Sequence, residues 1–189
     1  EQTSHAIKPN EASVDYFDLR VPKTDINNYF PTTFNGLKGL ILEFDSAPET
    51  FHQALELSMQ SIKDPSTLKF LALAFSNLTP HPDAIHNFFN FSSISELSLA
   101  CAITKNNHDS ILKTLDGLPL NKNLKKLELN LSLGEPEIKL DSLMTSVSKM
   151  TELSSLKLTA RRYFMAIPVE SALGFLTNLK ALSSLSLEF

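Results

Sequence analysis

The stretch LKKLELNL, residues 124–131, decides the fold. Taking Leu124 as position zero, apolar residues fall at zero, three, five and seven, with charged or amide side chains between them. The last three alternate, which is the period of a strand with one face buried. The same spacing returns in LKGLILEF (37–44), LKFLALAF (68–75), ISELSLAC (94–101), LSSLKLTA (153–160) and LSSLSLEF (182–189). VDYFDLRV (14–21) follows it with poorer residues. The segments start at 14, 37, 68, 94, 124, 153 and 182, so they are separated by 23, 31, 26, 30, 29 and 29 residues. A beat this steady along nearly the whole chain is an internal repeat.

Between the segments the period changes from two to that of a helix. Phe51, Ala54, Leu55, Ser58 and Ile62 share one helical face, as do Ile111, Leu112 and Leu115. Leu140, Leu143, Val147 and Met150 form a third such face, and Val169, Ala172, Leu173, Leu176 and Leu179 a fourth. Pro48 with Glu49, Asp83, Asp109 and Asp141 stand where helix starts favour proline, a cap or negative charge. The connector at 84–89 is short and Phe-rich, and reads as one or two helical turns. Repeated strand–helix units return the chain to one end of a sheet, so the strands run parallel through right-handed crossovers. One unit cannot bury its apolar face alone; neighbours must stack. A helix needs about 10 Å of width and a strand about 4.8 Å, so the stack curves with helices outside. The expected architecture is an α/β horseshoe, parallel sheet on the concave face and helices on the convex face.

Composition narrows the function. The 189 residues carry 17 Lys and Arg against 21 Asp and Glu, a net charge of −4, with 42% hydrophobic residues. That is enough apolar material for one domain's core. Mild acidity speaks against nucleic acid as partner, since phosphate binding draws on clustered cations. No apolar run approaches the length of a membrane-spanning helix. A single cysteine, Cys101, excludes internal disulfides and fits a reducing, cytoplasmic compartment. The expected organisation is a leader at 1–13 followed by one repeat domain over 14–189, the first unit acting as an amino-terminal cap with Pro22 and Pro31.

This pattern resembles the leucine-rich repeat family, and its period of 28–30 residues is similar to the ribonuclease-inhibitor-like class, over roughly residues 14–189. The family usually places Asn or Cys three residues after its last strand leucine, where the side chain ties successive turns. Here those positions hold Pro22, Asp45, Ser76, Ala102, Ser132 and Arg161, with Asn77 one place late, so that polar ladder is expected to be absent or irregular. The composition, rich in Asn, Lys, Ser and Phe, poor in Gly and without Trp, resembles repeat-bearing secreted effectors of intracellular bacterial pathogens. That resemblance implies action on host proteins in the host cytosol.

Chemistry-bearing motifs are sparse. The sequence contains no phosphate loop, dinucleotide glycine pattern, HExxH or nucleophile elbow. Cys101 and His108 could be drawn as nucleophile and base. Cys101, however, occupies the strand position of Phe44, Phe75 and Leu131, and reads as an inert core thiol. His81 and His86 are spaced too widely along a helix to share a metal. The sequons at Asn77, Asn90 and Asn130 are read as unmodified, and Asn130 lies within an expected strand. Glu135-Pro136-Glu137 reads as a solvated edge. No catalytic, metal or cofactor site is assigned.

Positions two, four and six of each segment are expected to project to the open side of the sheet. Ile41, Phe70, Ala72, Ala74 and Ala100 make its earlier part apolar; Lys126, Glu128 and Lys157 make its later part charged. Apolar residues aimed at solvent are the informative exception. Either Ile41, Phe70 and Ala72 anchor a protein partner, with Lys126, Glu128 and Lys157 as polar rim, or the leader or the loop at Tyr29-Phe30-Pro31 covers them. Arg161-Arg162-Tyr163-Phe164 is expected just after a strand, either as an arginine–aromatic contact point or as a surface loop with a buried aromatic. Residues 1–99 have net charge −6 and residues 100–189 net +2, a dipole that could steer a charged partner. Phe189 falls on an expected strand, so the carboxyl-terminal edge is expected to take further repeats, another domain or a second copy. The favoured reading is a non-catalytic protein-recognition module. Its rival is the substrate-recruiting or regulatory arm of a larger enzyme, such as a ubiquitin ligase or a GTPase regulator.

Overall fold

The apolar residues at positions three and five of each segment, all leucine except Phe17, align across the seven strands of one sheet. The computed structural model describes residues 14–21, 29–44, 48–75, 93–118, 121–134, 141–162 and 174–188. The strands are β1 (Tyr16–Val21), β2 (Gly39–Phe44), β3 (Phe70–Phe75), β4 (Glu96–Ile103), β5 (Lys126–Leu133), β6 (Ser155–Arg162) and β7 (Ser184–Glu188). They lie side by side in chain order, and every pair is parallel. The register is constant: Leu40, Leu71, Leu97, Leu127, Leu156 and Leu185 form one row, and Leu42, Leu73, Leu99, Leu129, Leu158 and Leu187 the next. The chain is α/β with an all-parallel sheet.

Backbone donors at each strand's entry hold that register. The carbonyl of Asp15 accepts from the N–H groups of both Lys38 and Gly39, at 2.8 and 2.9 Å. Lys38, Lys69, Ser95, Lys125 and Ser154 repeat the arrangement, each carbonyl taking two consecutive N–H groups of the following unit at 2.8–3.1 Å. Ser154 and Ser183 add their hydroxyls to the carbonyls of Lys125 and Ser154, at 3.0 and 3.1 Å. Thr67 Oγ1 donates to the Leu37 carbonyl and Asn121 Nδ2 to that of Ile94. The side chains tying successive units thus stand before the strands. After β4, Asn107, buried, accepts from the Thr104 N–H at 2.7 Å and donates to the Ala102 carbonyl at 2.9 Å. That closes one strand exit within its own unit.

Among the described residues three helices pack on the leucine side: α1 (Pro48–Ser61), α2 (His108–Asp116) and α3 (Asp141–Ser148). Phe51, Ala54, Leu55, Ser58 and Ile62 are buried as the period required, as are Ile111, Leu115, Leu143, Val147 and Met150. Leu112 is half-buried. These residues and the strand leucines form a single core. Of the fourth helical face, Leu176 is half-buried against the core and Leu179 is buried, but the described part of that connector is a 3-10 turn, Gly174–Asn178, instead of an α-helix. Glycine, threonine and asparagine are weak helix formers, and Thr177 Oγ1 turns back to the Gly174 carbonyl at 2.9 Å. The sequence reading also missed a 3-10 turn at Pro65–Thr67, capped by Asp64, whose carboxylate accepts from the Ser66 N–H and hydroxyl. Those hydrogen bonds hold the Asp64 carboxyl below its usual range. The leader at 1–13, Pro22, Asp83, the connector at 84–89, Leu140 and residues 169–173 lie outside the described residues.

Burial differs between the ends. At β1, Leu19 is buried, and Phe17 meets Phe30 and Phe34 with ring centroids 5.7 and 4.8 Å apart. The loop at Tyr29-Phe30-Pro31 therefore packs on the leucine side, held by Ser61 Oγ on the Pro31 carbonyl at 2.8 Å. At β7, Leu185 is 43% exposed, whereas its five row-mates are at most 2% exposed. Truncation costs should follow that gradient. Leu71→Ala, Leu99→Ala, Leu129→Ala and Leu158→Ala should each lower unfolding free energy by about 2–5 kcal/mol, and Leu185→Ala by about 1 kcal/mol or less. Urea unfolding followed by circular dichroism measures the difference; equal costs would contradict the burial pattern.

Candidate partner-binding face

The face of the sheet opposite the helices carries three full rows. The first reads Tyr16, Gly39, Phe70, Glu96, Lys126, Ser155, Ser184. The second reads Asp18, Ile41, Ala72, Ser98, Glu128, Lys157, Ser186. The third reads Arg20, Glu43, Ala74, Ala100, Asn130, Thr159, Glu188. Constant register makes these rows straight, so the expected patch is one surface: Ile41 abuts Ala72, and Phe70 lies one row away on the same strand.

Tyr16 joins that patch. It is 62% exposed, and its ring lies across Gly39: a Cβ built on Gly39 would collide with the ring and come within 3.3 Å of Phe70 Cδ1. Glycine at 39 lets the ring rest on the backbone beside Phe70. Ile41, Phe70, Ala72, Ala74 and Ala100 are all half-buried. The loop at 29–31 does not cover them, because Phe30 is committed to the core. Sequence reading left Tyr16 outside the site because it belongs to the poorest repeat. Its signal was the glycine facing it on the next strand.

The charged half behaves differently. Lys126 pairs with Glu96 at 2.8 Å, Lys157 with Glu128 at 2.6 Å, and Arg161 with Glu188 at 2.9 Å. Each pair bridges adjacent strands. All are exposed, so each stabilises the fold by about 0.2–1 kcal/mol at most. The position of Arg161 and Arg162 is corrected: they are the last two residues of β6, paired with Ser132 and Leu133. The β4–β6 strands run eight residues where β1–β3 run six, so backbone pairing continues through the arginines. The Arg162 side chain, Tyr163 and Phe164 lie outside the described residues.

The remaining reactive groups are placed as follows. Cys101 is buried in the core row between Phe75 and Leu131, and burial pushes its thiol from an ordinary 9.0 up to about 12. His108 Nδ1 faces Asp109 Oδ1 at 3.3 Å, and no hydrogen bond joins it to Cys101. Among the described residues no cluster of three or more His, Cys, Asp or Glu is arranged to hold a metal, and no helix is long and apolar enough to cross a membrane. His81, His86, Asn77, Asn90 and 135–137 lie outside the described residues, while Asn130 is exposed on β5. Comparison of the chain with protein-family models, curated proteins and solved structures finds no match.

Cys101 gives a direct check. Iodoacetamide at neutral pH should leave the folded thiol unlabelled and label it fully in denaturant. Both states hold the proton below pH 9.0. Above that the unfolded chain releases it and the folded chain does not, so this contribution to stability should fall as pH rises from 9.0 towards about 12. Rapid native labelling would place the thiol at the surface.

Proposed function

We propose that the protein is a non-catalytic recognition module of leucine-rich-repeat type, a curved coil that grips another protein with its open sheet face. The unbroken register of the leucine rows supports the coil, because stacked identical units accumulate a constant turn. The observation that carries the binding reading is the patch of Tyr16, Ile41, Phe70 and Ala72 around Gly39. Aromatic and aliphatic anchors surrounded by polar groups are the usual anatomy of a protein interface. Lys126, Glu128, Lys157 and Arg161 form its charged margin, already neutralised within the sheet. Such a margin orients a partner more than it adds affinity. Composition favours a secreted effector working on a host protein in the cytosol. The exposed Leu185 on the edge strand β7 offers a second contact, through which copies of the chain can associate.

Three variants test the assignment in a binding assay with any captured partner. Phe70→Asp should weaken binding by more than about tenfold while circular dichroism stays unchanged, as for a buried anchor. Gly39→Ala should dislodge the Tyr16 ring, a movable side-chain end, and weaken binding with little loss of stability. Lys157→Ala should change affinity by about 1 kcal/mol or less. Undiminished binding by Phe70→Asp, or greater dependence on Lys157, would move the site off the apolar patch.

A further inference from the structure

The turn that leads into β2 contains Asn35-Gly36, the one Asn-Gly step in the chain. Gly36 has φ +73°, the left-handed region, is exposed, and a Cβ there would meet nothing within 4 Å. Among the described residues the Asn35 side chain makes no hydrogen bond, and the Gly36 N–H donates to no carbonyl. A side-chain amide next to an unhindered, unengaged backbone nitrogen is the arrangement that cyclises. We infer that Asn35 is a site of spontaneous deamidation, with water as the only co-reactant.

The step balances without redox. The Gly36 nitrogen attacks Asn35 Cγ; the N–Cγ bond forms, the Cγ–Nδ2 bond breaks, and ammonia leaves. The resulting succinimide is opened by water at either carbonyl. Opening at Cγ gives aspartate on an unchanged backbone. Opening at the main-chain carbonyl gives isoaspartate, whose backbone runs through the former side chain and is one carbon longer. Either product adds a negative charge.

The rest of the fold supplies internal controls. Asp116-Gly117 has the same small neighbour, yet the Gly117 N–H is held at the end of α2 by the Leu115 and Thr114 carbonyls. Its aspartate is engaged by the Ser146 hydroxyl and lies 3.6 Å from Lys149 Nζ. At Asn107-His108 the amide is bound at both ends, and the His108 N–H donates to the Thr104 carbonyl at 2.9 Å. Both nitrogens must leave a hydrogen bond before attacking.

Location gives the modification a consequence. Phe34 and Leu37, on either side, are each 1% exposed. The Phe34 N–H donates to the Ser61 carbonyl at 2.7 Å, and Lys38 and Gly39 donate to Asp15. An extra backbone carbon between these fixed points loosens the first unit, which carries Tyr16.

Incubating the full chain in mildly alkaline buffer and following its peptides by mass spectrometry tests this. The peptide with Asn35 should gain one mass unit at least roughly tenfold faster than that with Asn107, the ratio expected when one hydrogen bond must break first. Enzymatic methylation of isoaspartate should label the same peptide. In denaturant the Asn107 rate should rise while the Asn35 rate stays within a small factor. Asn35→Gln should abolish the fast phase. An Asn35 peptide that reacts no faster than the Asn107 peptide in the folded chain, or only after unfolding, would overturn the inference.

Discussion

Everything in this fold rests on register. In a parallel sheet a slip of one residue exchanges the two faces of a strand. Here it would send a leucine row to solvent and bring Lys126, Glu128 and Lys157 against α2 and α3. The carbonyls of Asp15, Lys38, Lys69, Ser95, Lys125 and Ser154 prevent that slip, each holding two N–H groups of the next unit. Connectors can then differ in length, with starts separated by 23 to 31 residues, because the strand entry sets the alignment.

A stack of this kind has nearest-neighbour energetics: each unit is buried by the ones beside it. The step from Leu156, 1% exposed with a strand on either side, to Leu185, 43% exposed on β7, expresses this directly. The β1 end escapes exposure through aromatic residues in place of leucines. Phe17 meets the Phe34 ring in a T-shaped contact and the Phe30 ring at a tilt, on the leucine side. Phe51 plays the same part further along, between Phe44 and Phe75 at centroid distances of 4.6 and 5.3 Å.

The parallel sheet, its strand order and the inert character of Cys101 were legible because each follows from a period repeated six times over. A single strand of this kind would be ambiguous; six at one register leave little choice. The ties between units were not legible. Attention falls on the residue after the strand, whereas the structure uses carbonyls before it, and a backbone donor leaves no mark on sequence beyond a polar residue such as Ser95 or Ser154. Asn107 escaped for a related reason: its partners, the Thr104 N–H and Ala102 carbonyl, are also main chain. The arginines were displaced because strand length depends on the neighbour, and β5 continues to Leu133. Of the open face, the apolar and charged halves and the place of Tyr16 on it were readable from alternation, whereas the seating of the Tyr16 ring on Gly39 beside Phe70 was not, since it depends on how β1 pairs with β2.

Those halves differ in what they leave for a partner. Lys126, Lys157 and Arg161 each already face a carboxylate on an adjacent strand. A partner replacing those contacts exchanges one weak exposed pair for another and must desolvate both members. Tyr16, Ile41, Phe70 and the alanines beyond them face no charged partner among the described residues. Burying them gains the full apolar term of about 25 cal/mol per Å². Gly39 strengthens that asymmetry by letting the Tyr16 ring lie against the backbone beside Phe70, so part of the side-chain ordering that association requires is met before a partner arrives. On the proposed binding reading, affinity on this face is set at the amino-terminal strands, and the charged strands select how the partner lies across them.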